Sequence, residues 1–192
     1  VVVSTDSKEI QSIAINSGAE VPFTRPETLS GSKVGKFDVW KHALQACEDF
    51  YNEKYEVFVD LDCTNPLRDV SDISNIIKQL LRSKERGVDA VFSVSEARKN
   101  PYFNMLEEDE NGALRMSKSS GPTIIRRQDA PKVFDHVASI YALLPSKIYE
   151  QEHLLSGHAE GYDIGLEKSL DVDSEFDFEL VEYLMKKKQG LL

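Results

Sequence analysis

Apolar and polar positions follow two different periods along the first half of the chain. Short apolar, β-branched runs predict buried strands at residues 1–4, 57–61 and 90–94. Apolar residues three or four positions apart predict helices over 8–16, over 37–51 and from about residue 71. Strand and helix therefore alternate in a β-α-β rhythm. This order predicts an α/β fold with a mostly parallel central sheet and helices on its faces.

The pattern changes after about residue 100, where short, turn-rich segments predict antiparallel strands. Asn111-Gly112 is typical of a hairpin turn. A last short strand is predicted to end at Val172, and Ser174 to cap a final helix. The apolar residues predicted to face inward from that helix are Phe176, Leu180, Val181, Leu184 and Met185.

Length and charge restrict the class of protein. The 192 residues fit one domain over 1–192, and a net charge of −10 argues against a nucleic-acid surface. An acidic protein can still hold a nucleoside triphosphate through a divalent cation and a few local cations. No apolar run has the length of a membrane span. Only two cysteines are present, which favours a reducing, cytoplasmic setting.

The most informative polar segment contains two aspartates, Asp171 and Asp173, ahead of the final helix. Residues two apart on a strand project to the same face, so both carboxylates can lie side by side. Mg²⁺ takes one or two carboxylates together with water and substrate phosphates, which suits such a pair. The alternative is that Asp173 or Ser174 caps the helix while Asp171 is solvated.

A second Asp-x-Asp, Asp60 and Asp62, lies at the end of the 57–61 run. Asp60 falls within an apolar strand and needs a cationic partner or a metal. Asp62 is expected to face the site, because ligands of α/β sheets gather at the carboxyl ends of strands. Local turn bonding through Asp62 and Asn65 ahead of Pro66 is the alternative.

Basic candidates for an anion contact lie in two regions of the chain. Arg25 precedes a proline and is held in an extended loop, whereas Lys33 and Lys36 precede a helix. The spacing around the two lysines is not that of a Walker loop. The pair Arg126-Arg127 is the other candidate. Each of these side chains has simple solvation as its alternative.

Four segments resemble, in order, motifs of the acylneuraminate (CMP-sialic acid) cytidylyltransferase family. The opening VVVSTDSKEIQSIAINSGAEVPFTRPETLS resembles a strand-helix-strand stretch with an Arg-Pro, here Arg25-Pro26. DCTNPLRDVSDI is similar to the family's central loop, RRQDAPKVFDHVASIYAL to its Arg-Gln-Asp segment, and SLDVDSEFDFELVEYL to its closing Asp-x-Asp helix. The resemblance runs from Val1 to about Met185.

The resemblance implies a Rossmann-like nucleotidyltransferase that transfers CMP from CTP to the anomeric hydroxyl of a nine-carbon 2-keto sugar acid, with release of pyrophosphate. It implies that Asp171 and Asp173 hold Mg²⁺ or Mn²⁺ and that Arg127 acts near the substrates. The substrate-binding residues would be Arg25, Lys33, Lys36, Asp62, Thr64, Asn65 and Gln128. Residues 122–160 resemble the family's antiparallel dimerisation region, which implies a homodimer.

Two departures from the family pattern affect the prediction of which sugar acid is the acceptor. Asp62 stands where the family has a glutamine that meets the sugar, and Leu154-Leu155 stands near a pair of phenylalanines. These differences favour a bacterial nonulosonate of legionaminic or pseudaminic type over N-acetylneuraminate.

The family's first strand and its glycine-rich triphosphate loop have no counterpart here, so we expect residues before Val1. Two alternatives stay open. One is another sugar nucleotidyltransferase, such as a keto-octulosonate type, against which the Arg-Gln-Asp segment argues. The other is a non-catalytic nucleotide-sugar binding module, supported only by the missing loop.

Overall fold

The structure, a computed structural model, describes residues 1–119, 121 and 124–191. The α-helices are α1 Lys8–Asn16, α2 Lys36–Tyr51, α3 Val70–Ser83, α4 Pro145–Glu150 and α5 Glu175–Lys188. The strands are β1 Phe58–Leu61, β2 Ala90–Glu96, β3 Leu106–Glu108, β4 Leu114–Met116, β5 Phe134–Leu143 and β6 Ala159–Asp163. Short 3₁₀ turns lie at Glu27–Leu29, Lys84–Arg86, Arg127–Asp129 and Leu166–Lys168. Within these residues no helix is both long and apolar enough to cross a membrane.

A mixed four-stranded sheet forms the centre of this α/β fold, with strands in the order β1-β5-β2-β6. β2 is the buried strand that its apolar run predicts, with six of its seven residues buried. β1 differs from the prediction of a strand buried on both faces of a parallel sheet. It pairs antiparallel with β5, Phe58 opposite Leu143, and its four residues are half-buried. An apolar run of this length does not reveal which partner a strand takes.

The hairpin predicted at Asn111-Gly112 is confirmed. β3 and β4 pair antiparallel, with Leu106 opposite Met116. Gly112 has a φ of 79°, a conformation that glycine adopts without steric cost. The aspartate that precedes the turn stabilises it, because its carboxylate accepts the N–H groups of Asn111 and Ala113 at 2.9 and 3.0 Å.

Two predicted strands are not formed. Residues 1–4 make only an isolated parallel bridge between Val2 and Glu20 on either side of α1. Val172 lies in an irregular segment, and its N–H donates to the carbonyl of Thr64 at 2.9 Å. The hydrogen bonds of both segments are thus with loop residues, which no local periodicity encodes.

Helix boundaries agree closely with the sequence pattern, whereas two predicted apolar faces are only partly right: Leu44 of α2 and Val181 of α5 are buried. For α2 the pattern predicts an apolar side formed by Val39, Ala43, Leu44, Cys47 and Phe50. Phe50 of α2 is 62% exposed and Phe176 of α5 is 72% exposed. The buried side of α2 consists of Phe37, Trp40, Leu44 and Glu48. This side is rotated from the predicted one because Trp40 and its neighbours pack around the aromatic rings of β1 and β5.

The chain divides into two compact units. The first comprises Val1–Leu61, Ser74–Phe92 and Ile140–Glu160, and the second comprises Asp62–Ile73, Ser93–Ser139 and Gly161–Leu192. The prediction of one domain with an excursion at 122–160 stays a prediction. Pro122, with which that excursion begins, lies outside the described residues.

Candidate active site

The predicted site residues fall into both units. Arg25, Lys33 and Lys36 belong to the first unit. The loop 62–66, the Arg127-Gln128 pair and the segment 170–173 belong to the second. The geometry within each unit shows which of these residues lie together.

Lys36 forms an ion pair with Asp60 in the first unit. Lys36 Nζ lies 3.2 Å from Asp60 Oδ2 and 4.3 Å from the centroid of the Tyr141 ring. The expectation that an aspartate within β1 needs a cationic partner or a metal is therefore met by a lysine. The Asp60 carboxylate therefore already neutralises part of the positive charge that Lys36 would offer to a bound anion.

Arg25 is held in its loop by its own backbone. Its N–H donates to the carbonyl of Thr5 at 3.0 Å, and its Nη2 lies 3.7 Å from Asp6 Oδ1. The Nε–H of Arg25 is buried and has no hydrogen-bond partner among residues 1–119, 121 and 124–191. A buried donor without a partner is a potential ligand contact. Lys33, by contrast, is exposed.

Arg68 organises the central loop of the second unit, a role that the sequence did not reveal. Its Nη1 donates to the carbonyls of Asp62 at 2.7 Å, Asn65 at 2.6 Å and Ser139 at 3.0 Å. One guanidinium thus bonds two carbonyls of the turn and one carbonyl of β5. The available signal was the Pro-Leu-Arg triplet after Asn65, whose arginine follows the turn directly.

The central loop and the Asp-x-Asp segment lie together. Asn65 is completely buried, and its Nδ2 donates to the carbonyl of Leu170 at 3.0 Å. In return the Val172 N–H donates to the carbonyl of Thr64 at 2.9 Å. Two segments that the sequence singled out separately therefore form one local structure in the second unit.

The two carboxylates of this segment are accessible. Asp171 is half-buried, and its Oδ1 accepts the N–H of Val172 at 3.1 Å, whereas Asp173 is exposed. Ser174, and not Asp173, caps α5. Its Oγ accepts the Asp177 N–H, and the Asp177 carboxylate accepts the Ser174 N–H at 2.9 Å. The hydrogen bond from the Ser174 side chain lowers the pKa of Asp177.

Two oxygen donors with open positions around them fit a hard divalent cation such as Mg²⁺ or Mn²⁺, which completes its shell with water and phosphate. No group of three or more His, Cys, Asp or Glu side chains that could hold a metal ion occurs within the part of the chain that the structure describes.

Val172 turns toward a mainly apolar cavity of about 390 Å³ in the second unit. Its lining includes Cys63, Thr64, Phe178 and Val181 of the central loop and α5, but neither Asp171 nor Asp173. The valine thus faces the cavity while its two neighbours do not.

Arg127 and Gln128 lie in the short turn Arg127–Asp129. Arg127 Nη2 donates to the carbonyls of Ala97 and Arg98 at 3.0 and 2.9 Å. Gln128 is exposed. The Arg127 guanidinium therefore anchors its own segment to the end of β2 and keeps further N–H groups for another acceptor.

The loop that carries Leu154 and Leu155 is fixed by a buried lysine of the first unit. Lys147, 1% exposed, lies 3.1 Å from Asp89 Oδ1 and 3.3 Å from Gln151 Oε1, and it also donates to the Ser156 carbonyl. Gly157 follows Ser156 with a φ of 82°, and a Cβ there would clash with Asp89 Oδ2. Leu154 is 9% exposed and Leu155 is 64% exposed.

A charged cluster at the start of α3 was not predicted. Lys168 Nζ lies 2.6 Å from Asp72 Oδ2 and 3.3 Å from Asp69 Oδ2, and Lys188 also contacts Asp69. The hydrogen bond from Lys188 lowers the pKa of Asp69, with a further contribution from Lys168. The cluster ties the Leu166–Lys168 turn and the end of α5 to the helix that follows the central loop.

A model of the cytidylyltransferase family matches residues 1–189. The chain belongs to this family. Among the curated relatives of this cytidylyltransferase is "Post-translational flagellin modification protein B" of Campylobacter coli, 34% identical over 98% of this chain and 77% of the relative. "CMP-N,N'-diacetyllegionaminic acid synthase" of Campylobacter jejuni subsp. jejuni serotype O:2 is 33% identical over the same shares of the two chains.

A solved structure of CMP:2-keto-3-deoxy-manno-octonic acid synthetase in complex with CTP is also similar to this cytidylyltransferase. The TM-score is 0.65 at 14% identity, over 98% of this chain and 81% of the other. At such identity the likeness concerns the fold alone. The predicted Rossmann-like nucleotidyltransferase architecture is confirmed.

Proposed function

We propose that the chain transfers CMP from CTP to the anomeric hydroxyl of a nine-carbon 2-keto sugar acid, a nonulosonate, and releases pyrophosphate. Family membership and a relative named as a legionaminic acid synthase support the reaction class. The observation that carries the proposal is the attachment of the Asp-x-Asp segment to the central loop. This contact gives the two accessible carboxylates a defined place beside a loop that bears the polar groups of Asp62 and Thr64.

Asp171 and Asp173 would hold Mg²⁺ or Mn²⁺, which neutralises phosphate charge and orients the triphosphate when it is bound. The residues of the chain supply the remaining positioning. The buried Nε–H of Arg25 offers a donor to an anionic or carbonyl oxygen. Lys33 and Lys36 offer positive charge, which Lys36 shares with Asp60.

Contacts with the acceptor sugar are proposed for two segments of the second unit. Asp62 and Thr64 lie on the loop beside the Asp pair, and a carboxylate at position 62 selects sugar groups that donate hydrogen bonds. Arg127 has N–H groups beyond its two backbone bonds, and Gln128 is exposed, so both are available to an acidic sugar. The departures from the family pattern at Asp62 and Leu154-Leu155 and the relative named as a legionaminic acid synthase support a legionaminic- or pseudaminic-type acid as the acceptor.

We also propose that the protein is cytoplasmic and forms a homodimer. The resemblance of residues 122–160 to a dimerisation region is the support for the dimer, and the exposed aliphatic side chain of Leu155 in that region is a candidate contact. Light scattering at micromolar concentration should give the mass of two chains. A monomer under these conditions would contradict the dimer.

Pyrophosphate release from CTP, measured against a panel of keto-acid sugars with Mg²⁺ present, tests the function. We expect turnover with legionaminic or pseudaminic acid and weaker turnover with N-acetylneuraminate. A preference for the eight-carbon keto-octulosonate would instead support a different sugar nucleotidyltransferase. Absence of turnover with every acceptor, together with retained CTP binding, would contradict the catalytic proposal and favour a binding module.

A further inference from the structure

We infer that Asn65 is a positioning residue for the metal-binding carboxylates, acting through the main chain on either side of Asp171. This inference rests on the proposed function, since it concerns the same Asp pair. It differs from the direct substrate contact that the resemblance implies for Asn65, whose side chain is completely buried.

Two hydrogen bonds bracket Asp171. On its N-terminal side the Leu170 carbonyl accepts the Asn65 Nδ2–H at 3.0 Å, and on its C-terminal side the Val172 N–H donates to the Thr64 carbonyl at 2.9 Å. Both bonds come from two consecutive residues of the central loop. Because the peptide groups before and after Asp171 are both hydrogen-bonded to the loop, the position of the Asp171 Cα atom is fixed relative to the loop.

The anchor itself is fixed. Arg68 Nη1 donates to the carbonyl of Asn65 at 2.6 Å and to that of Asp62 at 2.7 Å. The N–H of Asp62 donates in turn to the Ser139 carbonyl at 3.0 Å. These three hydrogen bonds restrict the motion of the loop. The segment that is bonded to the loop is therefore restricted as well.

The amide oxygen of Asn65 indicates that this side chain acts as a hydrogen-bond donor. Asn65 Oδ1 is buried and lacks a hydrogen-bond partner within residues 1–119, 121 and 124–191. An unsatisfied buried acceptor is costly, so an apolar residue would be more stable at this position if only packing mattered. The bond from Nδ2 to Leu170 is the contact that an apolar residue cannot make.

The expected consequence is on metal affinity. Groups that orient metal ligands without touching the metal typically change affinity by about 10- to 100-fold when they are removed. Loss of the Asn65 bond leaves Asp171 attached on one side only. We therefore expect Asn65→Ala to bind Mn²⁺ about tenfold more weakly than the unaltered chain.

The test is a titration of the full chain with Mn²⁺ alone, followed by the loss of the free-ion EPR signal. Asn100→Ala is the matched control. Asn100 is also a buried asparagine of the second unit, 6% exposed, and its Nδ2 donates to the Pro131 carbonyl at 2.9 Å. Its side-chain bonds are with the Pro131 carbonyl and the Tyr102 N–H, so its loss should lower stability without changing Mn²⁺ affinity.

The outcomes separate this inference from the proposed function. Equal Mn²⁺ affinity for Asn65→Ala and the unaltered chain would overturn the positioning role alone, as would an equal weakening by Asn100→Ala. Mn²⁺ binding that survives Asp171→Ala with Asp173→Ala would overturn the metal site and the inference with it. Should Asn65→Ala not fold, Asn65→Ser gives the same test, because its hydroxyl is too short to replace the amide.

Discussion

Replacing Asp171 and Asp173 together by alanine should lower pyrophosphate release from CTP by about a thousandfold. Both carboxylates are accessible and neither caps α5, since Ser174 and Asp177 form the cap. Their removal therefore takes away the proposed oxygen ligands of the metal and leaves the helix start intact. The expected loss corresponds to about 4 kcal/mol of transition-state stabilisation.

The measurement is the rate of pyrophosphate release at saturating Mg²⁺, with the most active nonulosonate as acceptor. Glu167→Gln with Glu179→Gln is the matched control, because it removes two negative charges at exposed positions of the same unit. The control should keep nearly full activity. If the alanine pair released pyrophosphate as fast as the unaltered chain, Asp171 and Asp173 would not be the metal ligands.

Replacing Arg68 by alanine should lower the free energy of unfolding by about 3 kcal/mol. The carbonyls of Asp62 and Asn65 would lose this charged donor, and the Ser139 carbonyl would keep only the N–H of Asp62. Buried acceptors left without a donor are costly, and water can reach only part of this half-buried turn. The central loop would also loosen, so activity should fall together with stability.

Urea unfolding measures this change. Arg82→Ala removes an exposed arginine from α3 and should alter the free energy of unfolding by less than about 0.5 kcal/mol. Arg68→Lys should be intermediate, because an ammonium group cannot reproduce the planar fork of donors. A change of similar size in Arg68→Ala and Arg82→Ala would show that the three hydrogen bonds add nothing to stability.

Local pattern determined most of the helices. The bounds of α1, α2 and α3 follow the spacing of apolar residues, and the capping motif of Ser174 and Asp177 marks the start of α5. Each of these signals lies within one or two helical turns, where backbone geometry alone relates neighbouring residues. The buried side of α2 was misjudged because the sequence does not show which aromatic rings will surround Trp40.

Strand pairing was not determined locally. The run at β1 predicts a buried strand, but its antiparallel pairing with β5 involves residues of a distant segment. A short apolar run has the same sequence pattern whether the strand lies at the edge or in the middle of a sheet. The two predicted strands at residues 1–4 and at Val172 failed for the same reason, since the partners of each are loop residues.

For the candidate site, the sequence by itself determined which residue types are present: an Asp-x-Asp pair, a polar loop after β1 and a set of basic side chains. Only the tertiary structure decided their use. It paired Lys36 with Asp60, gave Arg68 the carbonyls of the loop, and joined Asn65 to Leu170 across 105 residues of sequence. Hydrogen bonds between segments so far apart depend on the folded sheet that brings them together, and no spacing along the chain encodes them.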